Sequence, residues 1–442
     1  MDLEKPQPLP SVITMIEKST PTSESSSSQS ITPCQKAPVT TTTPSNELQA
    51  QPQQPQQQKP VLSTLFLVFI TLTQLVQSIP FGAGINAGLS IGASLDATPI
   101  SSVWVVASYP LTQGAFVLIG GRLGEIYGHK KTMTAGCAWG FLGFVVYGIA
   151  IAIVPADEPV DPKGKVDWVG AYLGVAGLIL FNFVWNQSPI VGWSSPYEIA
   201  LLILSVLHLA AFCYWETCVA SQPILPFNIW HCPSFGTLML TIFFAFMSLG
   251  IFFWYINVYM QTIRGDSMIR TGVQMLPLTI VGSMAPFFAA WLVPRVPAQA
   301  IIGAGCLFMV TVNALLATIP ADLTYWAMAF PAVLLSSFTT DLIVTSAQII
   351  ASNTVPAKHQ GVAGSLVGTL LTYGLSTGLG FAGTIEMHTS EDGQNPLRGY
   401  HSATYLAVGM SVLSLGLCFF IRIPKDTREG WAHNETEGSG EA

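Results

Sequence analysis

Long apolar runs broken by short polar punctuation set the pattern of this chain from Val61 onward. The runs lie near 61–80 (reaching about 95), 99–120, 132–155, 168–185, 197–216, 234–257, 271–293, 299–319, 325–351, 361–384 and 402–422. Each approaches the ~20 residues that carry a helix across a bilayer, and none alternates strictly as a lipid-facing strand does. Backbone groups in lipid must be bonded internally, so the runs predict an all-α, polytopic transmembrane bundle of about eleven spans. Trp104, Trp168, Trp185, Trp193, Trp215 and Trp326 fall near predicted span ends, where such rings anchor at the interface.

Residues 1–59 break this pattern with Pro, Gln, Ser and Thr, including Ser25–Ser28 and the stretch 51–57. Such a composition buries too little apolar surface to offset its conformational entropy, which predicts a disordered cytoplasmic tail. It lacks the basic start, short apolar core and cleavage site of a signal peptide, so the first run is expected to direct insertion. The expected organisation is a tail (1–59), a first membrane part (60–155), a linker (156–167), a second membrane part (168–424) and a cytoplasmic tail (425–442).

Composition agrees. Half of the 442 residues are apolar and 9% are charged, against roughly a quarter charged in soluble domains. Mean hydropathy is +0.51, which excludes a soluble globular enzyme. The 17 Lys and Arg against 24 Asp and Glu leave net −7, with no basic footprint for nucleic acid. The expected partners are a small-molecule substrate and the lipid bilayer, with the chain acting as a monomer. The seven cysteines are scattered without metal-ligand spacing and read as apolar filler. His208, alone in an apolar run, reads as a packed histidine. With no nucleophile motif or acid–base cluster, neither an enzyme nor a cofactor is expected. The sequons at Asn186 and Asn434 are weak, the first being followed by Pro189.

Between the second and third runs stands Gly120-Gly121-Arg122-Leu123-Gly124-Glu125-Ile126-Tyr127-Gly128-His129-Lys130-Lys131. Its glycines allow a tight turn and close helix approach, and its basic cluster places it in the cytoplasm. Glu125 can cap a neighbouring helix N-terminus or pair with a cation. The spacing resembles the loop signature of the major facilitator superfamily, Gly-x-Leu-(small)-Asp-Arg-x-Gly-Arg-Lys. Gly121, Leu123, Gly124, Gly128 and Lys130 match it, Lys131 extends its basic end, Glu125 replaces Asp, and Ile126 and His129 replace the two arginines. The resemblance implies a gating loop that helps to lock the two halves of the bundle in one state.

The likeness extends along the chain. Ser102–Thr112 resembles the second helix of the fourteen-helix drug:proton antiporters, Lys165–Leu178 the start of their seventh, and His359–Val367 the entry to their thirteenth. Together they are most similar to the fungal branch associated with aminotriazole and other toxicant resistance. That resemblance implies a bundle of major-facilitator type at the plasma membrane. It would export toxic small molecules or secondary metabolites against an incoming proton, the gradient replacing any cofactor.

An ionisable residue deep in a span costs a few kcal/mol, which makes it a functional candidate. Asp341 is the exception among charges otherwise confined to loops and span ends, and it shares a stripe with Ser337, Thr345 and Gln348 at helical spacing. It reads either as a proton or substrate site or as a structural carboxyl bonded to a neighbouring helix. In the first run Gln74 and Gln77 either line a pathway or bond between helices. The aromatic span 243–255 suits a cavity for planar substrates or lipid-facing packing, and Gly364, Gly368, Gly374 and Gly378 suit close helix contact. Glu386, at its span end, is expected at the interface.

The count of eleven conflicts with charge. With the tail and the Arg122–Lys131 loop cytoplasmic, eleven spans put Lys163, Lys165, Arg295, Lys358, Arg422, Lys425 and Arg428 outside and Arg264, Arg270 and Arg398 inside. The positive-inside rule prefers the reverse, so the count is expected to be short by an odd number. By the resemblance, about three helices after the third are missing and the N-terminal half is incomplete. This chain would then be impaired in transport, or a non-transporting remnant or regulatory partner of such a transporter.

Overall fold

The structure is a computed structural model that describes residues 60–139, 164–355, 359–390 and 395–421. Both expected tails, the rear of the 132–155 run and most of the linker lie outside the described residues. Among the described residues, twelve α-helices form over the apolar runs. They are α1 (Pro60–Ser94), α2 (Val103–Tyr127), α3 (His129–Trp139), α4 (Trp168–Val191), α5 (Pro196–Tyr214) and α6 (Phe235–Val258). They continue as α7 (Met268–Gln274), α8 (Leu276–Leu292), α9 (Ala298–Ala317), α10 (Ala329–Thr354), α11 (Gln360–Thr389) and α12 (Pro396–Cys418). Single π-helical turns prolong α5 to Val219 and α6 to Ile263. Among the described residues nine segments are long and apolar enough to cross a membrane, α7 and α8 counting as one. The all-helical class read from periodicity holds.

Local chemistry fixes the helix starts. The Asp167 carboxylate accepts the Gly170 N–H at 2.9 Å and caps α4. Ser267 and Asn395 cap α7 and α12 in the same way, and prolines open α5 and α12, where no donor is lost.

Side-chain register gives the helix directions. Along α2 and α11 the order is reversed: a Cβ on Gly121 would press on Ser365, one on Gly114 would lie 2.8 Å from Thr372 Oγ1, and Ser376 bonds the Ala107 carbonyl. Along α4 and α11 it advances together, from Leu178 against Tyr373 to Ser188 against Thr384. The α6 helix also runs with α11, from Phe243 beside Gly374 to Tyr255 beside Glu386. The C-terminus of α2 and the N-termini of α4, α6 and α11 therefore share one end of the bundle.

Lys130, Lys131, Lys165 and Arg295 stand at that end, and Arg264, Arg270 and Arg398 at the other. This corrects the distribution that an unbroken count of eleven spans imposes. With Arg122 near the same end of α2, five described cations against three make the shared end the cytoplasmic one.

The core is built around α6 and α11. Phe246, Phe252, Trp254 and Tyr255 are buried among α11 and α12 residues, so the aromatic span packs inward, not against lipid. The small-residue pattern of α11 is what admits it. A Cβ on Gly374 would lie 3.0 Å from the Phe243 carbonyl oxygen, and one on Gly250 would lie 2.9 Å from the Leu375 carbonyl carbon. Dispersion at this spacing replaces the hydrophobic drive that lipid does not supply.

A buried polar network fastens the α4–α5 hairpin to this core. Asn182 donates to Thr377 Oγ1 at 2.8 Å, and Ser376 donates to Asn182 Oδ1 at 2.9 Å. Asn186 donates to Asn182 Oδ1 at 2.8 Å. At 3% exposure Asn186 is an internal residue, which removes it as a glycosylation site. Asn182→Ala strands these partners and is expected to cost about 1–2 kcal/mol, read as a lower melting temperature of the purified protein.

The remaining minor residues fall into place. His208 is half-buried, bonds the Leu204 carbonyl and packs on Tyr172. The five described cysteines are free: Cys232, Cys306 and Cys418 are buried, while Cys213 and Cys218 are exposed. Glu386, half-buried near the end of α11, accepts the Tyr255 hydroxyl at 2.6 Å.

Candidate functional site

The loop after α2 builds a contact across the bundle. Gly128 takes φ of 91°, a conformation that favours glycine, and returns its N–H to the Gly124 carbonyl at 2.9 Å. That turn lets α3 start at His129, with Lys130 half-buried and Lys131 exposed. A Cβ on Gly124 would lie 2.6 Å from His129 Nδ1, and one on Gly121 would lie 2.5 Å from Ser365 Oγ. Small residues at 121 and 124 are therefore needed for the turn and for seating α2 on α11, while Leu123 is half-buried.

Glu125 stands at the centre. It is 2% exposed, and a Cβ on Gly361 would lie 3.0 Å from its Cγ. A negative charge beside the first turn of α11 is stabilised by the unpaired N–H groups there. Glu125 Oε2 also pairs with Arg122 Nη1 at 3.0 Å. The ion-pair reading of Glu125 holds, whereas its Oε1 takes no hydrogen bond among the described residues and caps no α11 N–H. Arg122 was legible only as part of a basic cluster, yet it supplies the cation one turn back. The positions expected to carry arginine hold Ile126, which is buried, and His129, which is exposed. Glu125→Ala is expected to loosen this inner contact, read as several-fold faster maleimide labelling of a cysteine placed at position 365.

The second candidate group is the polar stripe of α10. Ser337 donates to the Leu278 carbonyl of α8 at 3.2 Å, and Gln348 Oε1 lies 3.4 Å from where a Cβ on Gly364 of α11 would be. Asp341 lies between them on the same face and is half-buried. Among the described residues it forms no hydrogen bond or ion pair. The structural reading, a carboxyl bonded to a neighbouring helix, has no partner here.

Gln74 and Gln77 are exposed on α1. The following half of α1 packs on α2 and α6: a Cβ on Gly84 would lie 3.0 Å from the Val105 carbonyl oxygen, and Phe81 meets Phe253 edge to face. The Tyr109 hydroxyl donates to the Gln77 carbonyl at 2.5 Å, leaving the Gln77 amide outside the contact. The structure does not join these amides to the α10 stripe, since α1 rests on α2, α6 and α7 while α10 rests on α6, α8, α9 and α11. Among the described residues no cluster of His, Cys, Asp and Glu could hold a metal ion.

A close α2–α11 contact at the cytoplasmic end and a polar stripe on α10 are thus set in a bundle of apolar helices. The chain is 31% identical over 452 residues to an uncharacterised MFS-type transporter of Schizosaccharomyces pombe, covering 81% of this chain and 86% of that protein. It belongs to the major facilitator superfamily. The chain is also 28% identical over 448 residues to an aminotriazole resistance protein of Saccharomyces cerevisiae (79% of this chain, 82% of that one). To an efflux pump of Aspergillus terreus it is 26% identical over 457 residues (81% and 88%). Among solved structures, the nucleoside transporter NupG superposes with a TM-score of 0.50 at 13% identity, over 81% of this chain and all of that one. That likeness concerns the fold alone. No family model matches the chain. This facilitator is a multi-pass membrane protein whose relatives are transporters, not enzymes.

Proposed function

We propose that this facilitator derives from plasma-membrane exporters of toxic small molecules or secondary metabolites that work by proton antiport, and that Asp341 is the proton-handling group. The observation that carries the reading is an embedded carboxyl with no partner among the described residues, on a face running from α8 to α11. A carboxyl held between helices without a compensating cation is suited to exchanging a proton as the bundle rearranges. The relatives' names, an aminotriazole resistance protein and efflux pumps, support the export of small toxic compounds. Proteoliposomes holding this chain under an imposed pH gradient test it. Gradient-dependent movement of aminotriazole or another small heterocycle is the expected outcome for a competent chain, and none is expected for an impaired one.

A second reading is that this chain is an impaired form lacking about three helices after α3. Two observations favour it. The 452 compared positions include 81% of this chain, about 358 residues, so about 94 positions of the relative have no counterpart here. That length fits about three spans with their loops. Tyr127 and Trp168 also stand at the same end of the bundle, which requires an even number of crossings between them, yet only one apolar run, 132–155, lies between. Alternating access needs two intact halves. Single cysteines at positions 131 and 165 are expected to label from the same side of sealed vesicles. Labelling from opposite sides would remove the second reading.

A further inference from the structure

A cavity of about 470 Å³ lies at the cytoplasmic end of the bundle, where the N-terminus of α9 meets the C-termini of α10 and α12. Its α9 wall is smooth: Ala300, Gly303 and Ala304 share one face and present nothing larger than a methyl group. Only Cys418 Sγ comes within 4 Å of a Cβ placed on Gly303, at 3.6 Å, so the surface there is open. Other walls are branched, with Val296 before α9, Ile349 and Ile350 on α10 and Leu415 on α12.

The polar groups of the lining gather at one level. Gln299 in the first turn of α9 and Asn353 in the last turn of α10 each contribute a carboxamide. Neither side chain makes a hydrogen bond among the described residues. The Thr354 hydroxyl, by contrast, is spent on the Ile350 carbonyl at 2.6 Å. Among the described residues no charged side chain lines the cavity. Arg295 in the preceding loop is turned to the Trp291 ring, 4.3 Å from its centroid.

This lining selects among membrane lipids. A charged head would meet no counter-ion, and a bare acyl chain would leave both amides unanswered. A hydroxyl answers them, donating to an amide oxygen and accepting from an amide N–H. The contrast between walls adds a shape requirement. A fused-ring hydrocarbon has one flat face, which suits Ala300, Gly303 and Ala304. Its other face carries axial methyl groups, which suit gaps between branched side chains, and a rigid body loses little entropy on binding.

We propose that this cavity holds a membrane sterol of the cytoplasmic leaflet, its flat face on α9 and its hydroxyl at Gln299 and Asn353. The sterol is bound as a resident lipid and is not the transported substrate. The proposal therefore stands whether or not this chain is competent to export.

Photolabelling of the purified full chain in neutral maltoside detergent tests it, with a cholesterol analogue that carries a diazirine on its second ring. Saturable adducts are expected on peptides of α9, α10 or α12 that border the cavity. Unlabelled cholesterol is expected to suppress them at a concentration about tenfold lower than its 3α-epimer or its mirror image requires. The mirror image has the same hydrophobicity, so it separates a shaped site from general partitioning. Replacing both amides, Gln299→Leu with Asn353→Leu, is expected to raise the cholesterol concentration needed about tenfold. Gly303→Phe, which fills the cavity, is expected to abolish the saturable adducts with the melting curve retained. Should that variant not fold, the comparison of isomers in the unaltered protein decides alone. Saturable adducts confined to other helices, equal competition by the isomers, unchanged competition in the double variant, or saturable adducts persisting in a folded Gly303→Phe protein would each overturn the proposal.

Discussion

Gly378→Leu is expected to prevent this bundle from assembling, whereas Gly409→Leu is expected to leave it intact. A Cβ on Gly378 would overlap the Met247 carbonyl oxygen and lie 2.8 Å from Met247 Cα, so it meets backbone, which cannot rotate away. The partner surface is equally tight, with Gly250 pressed on the Leu375 backbone. Overpacking commonly costs 1–3 kcal/mol where side chains can yield. Here α6 and α11 must separate, and the cost is expected to exceed about 3 kcal/mol. Gly409 on α12 has nothing within 4 Å of its Cβ position. Gel filtration after mild detergent extraction reads the difference as loss of the monodisperse peak for position 378 alone. A monodisperse, normally melting Gly378→Leu protein would show that the α6–α11 contact is not the one described.

Asp341→Asn is expected to abolish coupling to a pH gradient by tenfold or more in a transport-competent form, without lowering stability. The two readouts separate the readings of this residue. A structural carboxyl stripped of its charge leaves a partner stranded and costs about 1–3 kcal/mol. Asp341 has no such partner among the described residues, and a neutral amide is cheaper to hold between helices than an unpaired carboxylate. The melting temperature of the Asn variant is therefore expected to equal or exceed that of the parent, and this can be measured even if the chain does not transport. A large fall in melting temperature, or retained gradient-dependent efflux at normal expression, would return Asp341 to a structural role.

The two candidate sites differ in how much of each could be read from residue order. The α2–α3 turn was legible because its requirements are local: Gly124, Gly128 and the basic residues at 130 and 131 belong to one turn, and turn chemistry is written in neighbouring positions. What it contacts was not. Gly361 and Ser365 lie more than two hundred residues away, and only the reversed register of α2 and α11 places them against Glu125 and Gly121. Arg122 was hidden for a related reason, since a basic cluster next to a membrane span reads first as a topological signal. The α10 stripe was visible as a 3.6-residue period, but whether Asp341 has a partner depends on α8 and α11. Glu386 shows the same limit, its position at a helix end saying nothing of the Tyr255 hydroxyl that it accepts.

The aromatic span shows the same limit most plainly. Seven aromatic residues between Phe243 and Tyr255 allowed a cavity or a lipid face, and the fold buries Phe246, Phe252, Trp254 and Tyr255 in the core while Phe243 lines a cavity. Lipid and protein interior are both apolar, so hydrophobicity does not distinguish them. Only the glycines opposite, on α11, reveal that another helix approaches there.

The amino-acid sequence by itself determined that this chain is a bundle of membrane helices, where most of the spans fall, and which family it resembles. Those properties follow from run length, backbone hydrogen bonding and local turn chemistry, each of which acts between near neighbours. Only the tertiary structure decided which helix ends share a side, that Asn182 and Asn186 tie the α4–α5 hairpin to α11, and that Asp341 has no partner among the described residues. It also revealed the cavity between α9, α10 and α12 with its two uncommitted amides. These depend on contacts between residues up to about two hundred and seventy positions apart. An apolar sequence specifies such contacts through close-packed shape, which has no period to read.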